Sequence, residues 1–369
     1  MLNGTKVLDL TRVLAGPLCT MMLGDLGADV IKVERPTTGD ETRGWGPPFD
    51  EDGESAYYLS VNRNKLSVAL DIDVPEDRVV LERLLAHADV VVDNFRAGTL
   101  ERRGLDPEAM RRRYPQIVWC TITGFGPDIP RPGYDFVTQA EAGWMAITGQ
   151  AQGDPMKVGV ALADVIAGKD AAIAILAALA ARNRVAEGRR IFISLIDSAR
   201  AALVNVAQNT LVSGNDAKRW GNAHPNLVPY QLFQAADRPI VIAVGTDAQW
   251  VSCATALGLT HLARDTELST NAGRLANRER IINEFSSKLG QSPAAVWQEK
   301  LAAAGVPTGM VRGVAEVLRE VSASPLTGMP SSIGGRVRFP PPRLDQHGSV
   351  IRHSGWRVFE ETFGQSDGR

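Results

Sequence analysis

The sequence predicts an α/β protein with a Rossmann-like parallel sheet in a large domain and a smaller α+β domain. Short apolar runs alternate with helical patterns in the first third of the chain. These runs are apolar almost throughout, which is typical of parallel strands covered on both faces. Two short alternating runs later in the chain predict an antiparallel hairpin. The 369 residues also exceed the usual size of a single hydrophobic core.

The elements of the large domain follow in order along the chain. The first helix contains Pro17, which the first turn of a helix accepts, and stops before Gly27, a suitable left-handed C-cap. Strands are predicted at Lys6–Leu10, Ala28–Glu34, Leu66–Leu70, Asp89–Phe95 and Ile117–Thr123, and further helices at Pro75–Ala88 and Pro107–Tyr114. Parallel sheets of this kind bind ligands at the carboxyl ends of their strands.

The pattern changes after the first two hundred or so residues, where the βαβ rhythm ends. The predicted hairpin strands are Pro229–Gln234 and Pro239–Val244, and helical patterns follow at Asp247–Leu257, Arg274–Leu289 and Pro293–Ala304. We therefore predict residues 1–205 as the N-terminal part of the large domain, 206–228 as a linker and 229–325 as the small domain. Residues 326–369 would contain a Gly- and Pro-rich return linker and the C-terminal part of the large domain.

Composition excludes several classes of function. With 40 basic and 42 acidic residues the chain has no excess positive charge for nucleic acid. The longest apolar run, Ala171–Ala181, is too short to span a membrane, and the N-terminus has no pattern typical of a targeting signal. Cys19, Cys120 and Cys253 lie far apart and form no CxxC pair, which favours a reducing, cytoplasmic location.

A dinucleotide site is also disfavoured. The segment after the first strand, Thr11–Pro17, contains one glycine where a dinucleotide-binding turn needs G-x-G-x-x-G. Glu34 stands where such folds bind a ribose, but Arg35 follows it, and a guanidinium suits a phosphate better. We interpret Glu34 as a solvated charge at the end of a strand.

Asp164 is the candidate catalytic residue. It follows an apolar, strand-like run that starts at Val158, and the helical stretch Ala171–Ala181 comes after it. At a junction between strand and helix, the helix N-terminus would keep the carboxylate ionised and nucleophilic. Because Asp is also a favoured N-cap, the residues alone leave open a purely structural role.

An ordered set of short motifs extends over nearly the whole chain. The set comprises Val7–Pro17, Leu26–Pro36, Gly39-Asp40, Thr42–Gly44, Asn62–Lys65, Val92–Gly98, Arg102 with Gly104-Leu105, and Gly124–Gly126. In this order the motifs closely resemble the class III CoA-transferases of the CaiB/BaiF type, which include the formyl-CoA and carnitine CoA-transferases. The resemblance places Asp164 on the nucleophilic aspartate of the family.

The resemblance implies a ping-pong transfer of coenzyme A through aspartyl anhydride and aspartyl-CoA thioester intermediates. Acyl-CoA and a small carboxylic acid are then the substrates, and neither a metal nor a tightly bound cofactor is needed. The family architecture implies an interlocked homodimer. Residue by residue, the resemblance implies that CoA is bound by Arg12, Val13, Ala15, Arg35, Asn94, Phe95 and Arg102.

Three positions bear on the choice of reaction and substrate. Relatives that racemise acyl-CoA have a Gly-His-Asp triplet where this chain has Gly133-Tyr134-Asp135. Tyrosine, with a reference pKa of about 10, is a poor proton shuttle at neutral pH, so CoA transfer is favoured and Tyr134 and Asp135 are predicted as pocket residues. Leu14 stands where some transferases of the family have a glutamine, which puts oxalate-type specificity in doubt, and the segment from Gly221 to Tyr230 is more similar to relatives that accept dicarboxylates such as glutarate, mesaconate, citramalate or itaconate, often with succinyl-CoA as donor. His224, in this segment, is predicted to bind the distal carboxylate. A racemase and a non-catalytic CoA-binding protein remain the alternatives.

Overall fold

The computed structural model describes residues 1–320 and 328–363, which form two compact units. The first unit consists of Met1–Met145, Lys157–Asn215 and the described C-terminal residues 328–363. The second consists of Ala146–Met156 and the described residues from 216 to 320. Within the described ranges, no helix has the length and hydropathy needed to cross a bilayer.

The first unit contains a parallel sheet of six strands in its described residues. The strands are β1 (Lys6–Leu10), β2 (Asp29–Glu34), β3 (Lys65–Ala69), β4 (Val90–Asp93), β5 (Val118–Thr123) and β6 (Arg190–Ser194). Their order in the sheet is β3-β2-β1-β4-β5-β6, and every adjacent pair is parallel. The five predicted strands are confirmed. The sixth was not predicted: its apolar stretch is only three residues long and directly follows Arg189 and Arg190.

Helices cover both faces of the sheet, as predicted. Those of the first unit are α1 (Ala15–Asp25), α2 (Ala56–Leu59), α3 (Pro75–Leu85), α4 (Thr99–Arg102), α5 (Pro107–Arg113), α6 (Asp135–Glu141), α8 (Leu162–Val185), α9 (Leu195–Ala201), α10 (Val204–Ser213), α17 (Gly348–Ser354) and α18 (Val358–Phe363). α1 and α8 bury one face of the sheet, while α3, α5 and the C-terminal helices bury the other. The short helix α7 (Trp144–Ile147) extends across the boundary of the two units in the sequence.

The second unit is α+β. Its described strands, β7 (Tyr230–Gln234), β8 (Pro239–Ala243) and β9 (Thr308–Met310), form an antiparallel sheet in that order. The predicted hairpin is confirmed, and β9 is an addition to it. The helices are α11 (Asp247–Ala256), α12 (Thr260–Arg264), α13 (Asn271–Ala276), α14 (Arg278–Leu289), α15 (Ala294–Ala303) and α16 (Val314–Leu318). A stacked pair of aromatic rings, Trp250 and Phe285, lies in its core.

The expected strand before Asp164 is not present. Residues 151–161 are irregular, and Val160 is 58% exposed. The backbone N–H of Val158 donates to the side chain of Gln139 instead of to a neighbouring strand. α8 begins at Leu162, much earlier than the predicted helix, so Asp164 lies inside the first helical turn.

The strand order predicts a crevice at the carboxyl ends of the two central strands. The connection after β1 leads to β2 on one side, and the connection after β4 leads to β5 on the other, so the carboxyl ends of β1 and β4 border a topological switch point. The loops that follow these two strands begin at Thr11 and Asn94. Ligands of open parallel sheets bind at such a point.

Candidate active site

The loop after β1 is held by side chains from distant parts of the chain. The N–H of Arg12 donates to Oδ1 of Asn94 at 3.0 Å, and the carbonyl of Arg12 accepts from Nδ2 of Asn94 at 2.6 Å. The N–H of Val13 donates to the carboxylate of Asp40 at 3.2 Å. Val13 has a φ of +71°, a strained conformation for a β-branched residue. Both loops at the switch point are therefore fixed to each other.

Buried ion pairs lie beneath this loop. Lys65 binds Asp9 at 2.9 Å and Lys32 binds Asp40 at 3.1 Å, with all four side chains inaccessible to solvent. Burial on its own would raise the pKa of Asp9, but Lys65 and Lys32 outweigh it and hold the pKa at about 2. Lys32 also donates to the carbonyl of Thr11 at 2.8 Å. These charges stay paired at neutral pH and stabilise the loop.

Asp164 lies three residues after Ala161, the N-cap of α8, and is 9% exposed. Among the described residues, its carboxylate accepts no hydrogen bond and forms no ion pair. Burial, together with the negative charge of Asp135, raises the pKa of Asp164 to about 7. Desolvation and a like charge therefore act against the ionisation that the helix N-terminus is expected to favour.

Asp135 caps the helix that carries Asp164. Its Oδ1 accepts from the backbone N–H of Ala163 at 2.8 Å and of Asp164 at 3.4 Å. Its Oδ2 accepts from Nε2 of Gln139 at 2.6 Å. Gln139, which is fully buried, in turn binds the N–H of Val158 at 2.8 Å. Both oxygens of Asp135 are therefore used in positioning the backbone around Asp164.

A cavity of about 370 Å³ lies in front of Asp164. Seven of the predicted site residues line it: Arg12, Val13, Ala15, Asn94, Phe95, Tyr134 and Asp164. The guanidinium of Arg12 lies over the ring of Phe95, 5.5 Å from its centroid. The structure thus brings the candidate nucleophile and the two switch-point loops around one space.

A second cavity, of about 590 Å³, adjoins the first and shares Arg12, Phe95 and Thr99 with it. Arg35 lines this second cavity, at the carboxyl end of β2. Together the two spaces have the size of a site for a large ligand. The three shared residues belong to the walls of both cavities.

The remaining predicted residues lie elsewhere. Arg102 is exposed and donates to Oγ1 of Thr99 at 3.2 Å, outside the linings of both cavities. Asp135 lies behind Asp164, as described. His224 belongs to the second unit, where its Nδ1 accepts from the N–H of Asn226 and its ring packs against Tyr230. Burial and the neighbouring Arg278 lower the pKa of His224, which keeps it neutral.

Two residues at the site were not predicted. Glu41 binds Nη1 of Arg12 at 3.0 Å and Nη2 of Arg35 at 3.4 Å, and it lines the cavity in front of Asp164. Burial, followed by the charges of Asp164 and other carboxylates, raises the pKa of Tyr57 to about 12. Glu41 follows directly after the Gly39-Asp40 motif, and Tyr57 lies in a stretch for which no element was predicted. The spacing of these two residues in the sequence did not indicate a role at the site.

Glycines allow the close approaches that shape the cavity. A Cβ on Gly168, one turn after Asp164, would lie 2.6 Å from the carbonyl oxygen of Ala15. A Cβ on Gly124 would lie 2.6 Å from the Cα of Gly133, the residue before Tyr134. Small residues at these positions are needed to keep α8 against α1 and to place Tyr134 at the cavity.

Chemically, the site offers a nearly buried carboxylate, without a hydrogen-bond or ion-pair partner among the described residues, at a cavity that arginine side chains also line. Such a carboxylate is a nucleophile for an activated acyl group, and the guanidinium groups suit phosphate oxygens. The described residues contain no cluster of three or more His, Cys, Asp or Glu side chains that is suited to a metal ion.

Comparison with known proteins decides the family. The family model described as "CoA-transferase family III" matches residues 2–329. The chain belongs to CoA-transferase family III. The resemblance found in the sequence motifs is thereby confirmed, and the activity of the family is the transfer of CoA.

Individual relatives agree with this assignment. The chain is 40% identical to succinyl-CoA:glutarate CoA-transferase of Homo sapiens, over 99% of this chain and 88% of that enzyme. It is 44% identical to succinate–glutarate CoA-transferase of Agrobacterium fabrum, over 78% of this chain and 74% of that one. A crystal structure of a CAIB/BAIF family protein from Brucella suis is similar, with 40% identity, a TM-score of 0.84, and coverage of 95% and 98% of the two chains.

Proposed function

We propose that this family III CoA-transferase moves CoA from succinyl-CoA to a dicarboxylic acid such as glutarate, with Asp164 as the nucleophile. The observation that carries the proposal is the carboxylate of Asp164, which is nearly buried, faces a cavity and has no hydrogen-bond or ion-pair partner in the described residues. A structural aspartate at a helix N-terminus would instead bind backbone N–H groups with its own oxygens. Here Asp135 does so, which leaves Asp164 free.

In the first half-reaction a carboxylate oxygen of Asp164 attacks the carbonyl carbon of the donor thioester. The C–S bond breaks, which gives a mixed anhydride and CoA thiolate. The thiolate then attacks the Asp164 carbonyl carbon of the anhydride, the C–O bond breaks, and the donor acid leaves as its carboxylate. The acceptor carboxylate runs the same two steps in reverse from the aspartyl-CoA thioester. No proton is gained or lost over the complete cycle.

The surroundings of Asp164 favour this route in two ways. Desolvation removes water that would hydrolyse the anhydride, and it makes the carboxylate less stabilised and more reactive. We place the pantetheine arm in the cavity at Asp164 and the nucleotide in the adjoining cavity at Arg35, because the two cavities share Arg12, Phe95 and Thr99 in their linings. Val13, Ala15 and Asn94 would contact the arm through the walls of the first cavity.

The choice of acceptor is supported by the names of the relatives. The two enzymes above act on glutarate, and a relative from Haloarcula hispanica that is 41% identical is a succinyl-CoA:mesaconate CoA-transferase. Leu14, an apolar residue at the cavity, suits the methylene chain of such an acid. His224 remains our prediction for the distal carboxylate, as a neutral hydrogen-bonding group, and Arg102 remains our prediction for a CoA phosphate.

The activity test uses succinyl-CoA with a panel of acceptors, namely glutarate, mesaconate, itaconate, citramalate and oxalate, with acyl-CoA products separated by chromatography. We expect Asp164→Asn to lose on the order of 10³-fold or more of the transfer rate, because covalent catalysis is removed. Asp170→Asn is the matched control: it lies on the same helix and binds Ser198. Transfer that survives in Asp164→Asn would rule out this mechanism.

The two alternatives make different predictions. An acyl-CoA racemase would exchange the α-proton of its substrate with solvent deuterium and would need no second acid. Tyr134, which is 54% exposed and replaces the histidine of racemases, favours transfer. A non-catalytic protein would bind CoA equally well after Asp164→Ala and show no turnover in either form.

We also propose an interlocked homodimer in the cytosol. In the described chain, none of the ten residues of α10 is buried, and Leu211 and Val212 are more than three-quarters exposed. An apolar helix face of this kind favours contact with a second copy. The three unpaired, buried thiols support a reducing compartment. Native mass spectrometry of mixed isotope-labelled and unlabelled protein should show dimers without subunit exchange; monomers or rapid exchange would contradict an interlocked assembly.

A further inference from the structure

We propose that Asp135 is a positioning residue for Asp164: its carboxylate caps the helix that carries the nucleophile, and its negative charge adds to burial in disfavouring the ionised form of Asp164. This inference rests on the proposed function, in which Asp164 attacks the thioester. It assigns to Asp135 a role different from contact with CoA.

The capping geometry is the first step. The N-cap residue of α8, Ala161, has no side-chain oxygen for the free N–H groups of the first turn. Asp135, from α6, supplies that oxygen and accepts from the N–H of Ala163 and of Asp164. Since one of these bonds reaches the backbone of Asp164 itself, the cap fixes the position from which the nucleophile's side chain projects.

The second step is that Asp135 is itself held. Gln139 donates to its Oδ2 at 2.6 Å and accepts from the N–H of Val158 at 2.8 Å. Gln139 is fully buried and lies one turn after Asp135 on α6. These hydrogen bonds, which run from Val158 through Gln139 and Asp135 to the backbone of Asp164, therefore connect the irregular segment before α8 to the start of the helix.

The third step concerns charge. The other titratable groups around Asp164 are Tyr57 from α2 and five that line the cavity, Arg12, Glu41, Arg96, Arg131 and Tyr134. Arg12 pairs with Glu41, and Arg131 pairs with Glu141. On α8 itself, Lys169 lines a different cavity and Asp170 binds Ser198.

In contrast, Asp135 forms no ion pair with any described residue. Its uncompensated charge disfavours a second carboxylate at Asp164. The raised pKa of Asp164, for which burial is the main cause and Asp135 the second, agrees with this geometry.

The experiment compares Asp135→Asn and Asp135→Ala through the pH dependence of kcat/KM. Asparagine keeps the oxygen that caps the helix and removes the charge; asparagine and alanine both remove the acceptor of Nε2 of Gln139, so the two variants differ in the cap. We expect the acidic limb of the Asp135→Asn profile to move to lower pH by about half a unit or more. Alanine removes the cap as well, so the limb should move likewise while the plateau falls about tenfold or more below that of Asp135→Asn. A limb that does not move in either variant would overturn the electrostatic role, and equal plateaus would overturn the positioning role.

A second measurement uses the unmodified enzyme, in case a variant fails to fold. Hydrogen exchange should show the amides of Ala163 and Asp164 protected to a degree typical of the interior of α8. Exchange as fast as in the irregular residues 159–161 would contradict the cap. Covalent trapping at Asp164 separates this inference from the proposed function: an enzyme that never forms an adduct refutes the function, whereas adduct formation with an unmoved pH limb refutes only the role of Asp135.

Discussion

Gly168→Ala tests whether the packing of α8 against α1 sets the position of the nucleophile. The new Cβ would lie 2.6 Å from the carbonyl oxygen of Ala15, a backbone atom, and 3.4 Å from Cδ2 of Leu18. Restoring ordinary contact requires the helices to separate by about 0.8 Å. Gly168 is one turn after Asp164, and Ala15 lines the cavity in front of Asp164, so the separation would move the nucleophile away from a thioester bound as we propose.

The expected magnitudes distinguish misplacement from unfolding. A shift of about 1 Å costs about 10²-fold in rate, so we expect kcat/KM to fall by about 10- to 100-fold. Overpacking costs about 1–3 kcal/mol, and replacing a helical glycine with alanine returns about 1 kcal/mol, so the free energy of unfolding should change by less than about 2 kcal/mol.

The assay measures transfer kinetics and thermal unfolding on the same preparations. Gly159→Ala is the control, because a Cβ there meets no atom within 4 Å and the residue lies in the irregular segment just before α8. We expect it to keep activity and stability. If Gly168→Ala kept the full rate with an unchanged melting temperature, the proposed dependence on this helix contact would be wrong.

Three further predictions follow from charges at the site. Because the pKa of Asp164 is raised to about 7 and only the ionised form attacks, kcat/KM should rise with pH to a midpoint near 7; a flat profile between about pH 5 and 8 would contradict the shift. The folded pKa of Asp164 exceeds the unfolded value of 3.8, so stability is lost as pH rises between these values; Asp164→Asn should therefore raise the free energy of unfolding more at pH 8 than at pH 5, by up to about 3 kcal/mol, and equal effects at both pH values would count against this. Glu41→Gln releases Arg12 and Arg35, so CoA should bind up to about fivefold more tightly in calorimetry, with a steeper salt dependence; weaker binding would show that Glu41 instead holds the arginines in place.

Much of the fold was predictable because its strands are buried on both faces. The run that became β4 is apolar almost throughout, whereas those of β1 and β2 contain the buried charged residues Asp9, Lys32 and Glu34 and were recognised from their place in the βαβ rhythm as well. The run from Val158 to Ala163 is equally apolar but forms no strand, because the side chain of Gln139 binds its backbone. Apolar pattern alone does not distinguish these cases, since the deciding partner is distant in sequence.

Glu34 shows that local sequence also does not reveal whether a charged side chain is buried. It was interpreted as a solvated charge, and this interpretation is wrong: Glu34 is buried and accepts hydrogen bonds from Arg43 at 2.7 Å, from Ser67 at 2.7 Å and from the N–H of Asp40 at 3.0 Å. The family motifs nevertheless selected most of the cavity lining. They identify which residues recur together, but not that Asp135 would bind the backbone of the nucleophile's helix.

The most direct measurement is to trap the covalent intermediate. The enzyme is incubated with succinyl-CoA in the absence of acceptor, treated with borohydride, and digested for peptide mass spectrometry. Reduction of an aspartyl-CoA thioester converts the side chain at position 164 to that of homoserine, and we predict this change at Asp164 alone. Turnover without any modification of Asp164, or modification at another residue, would contradict the assignment of the nucleophile.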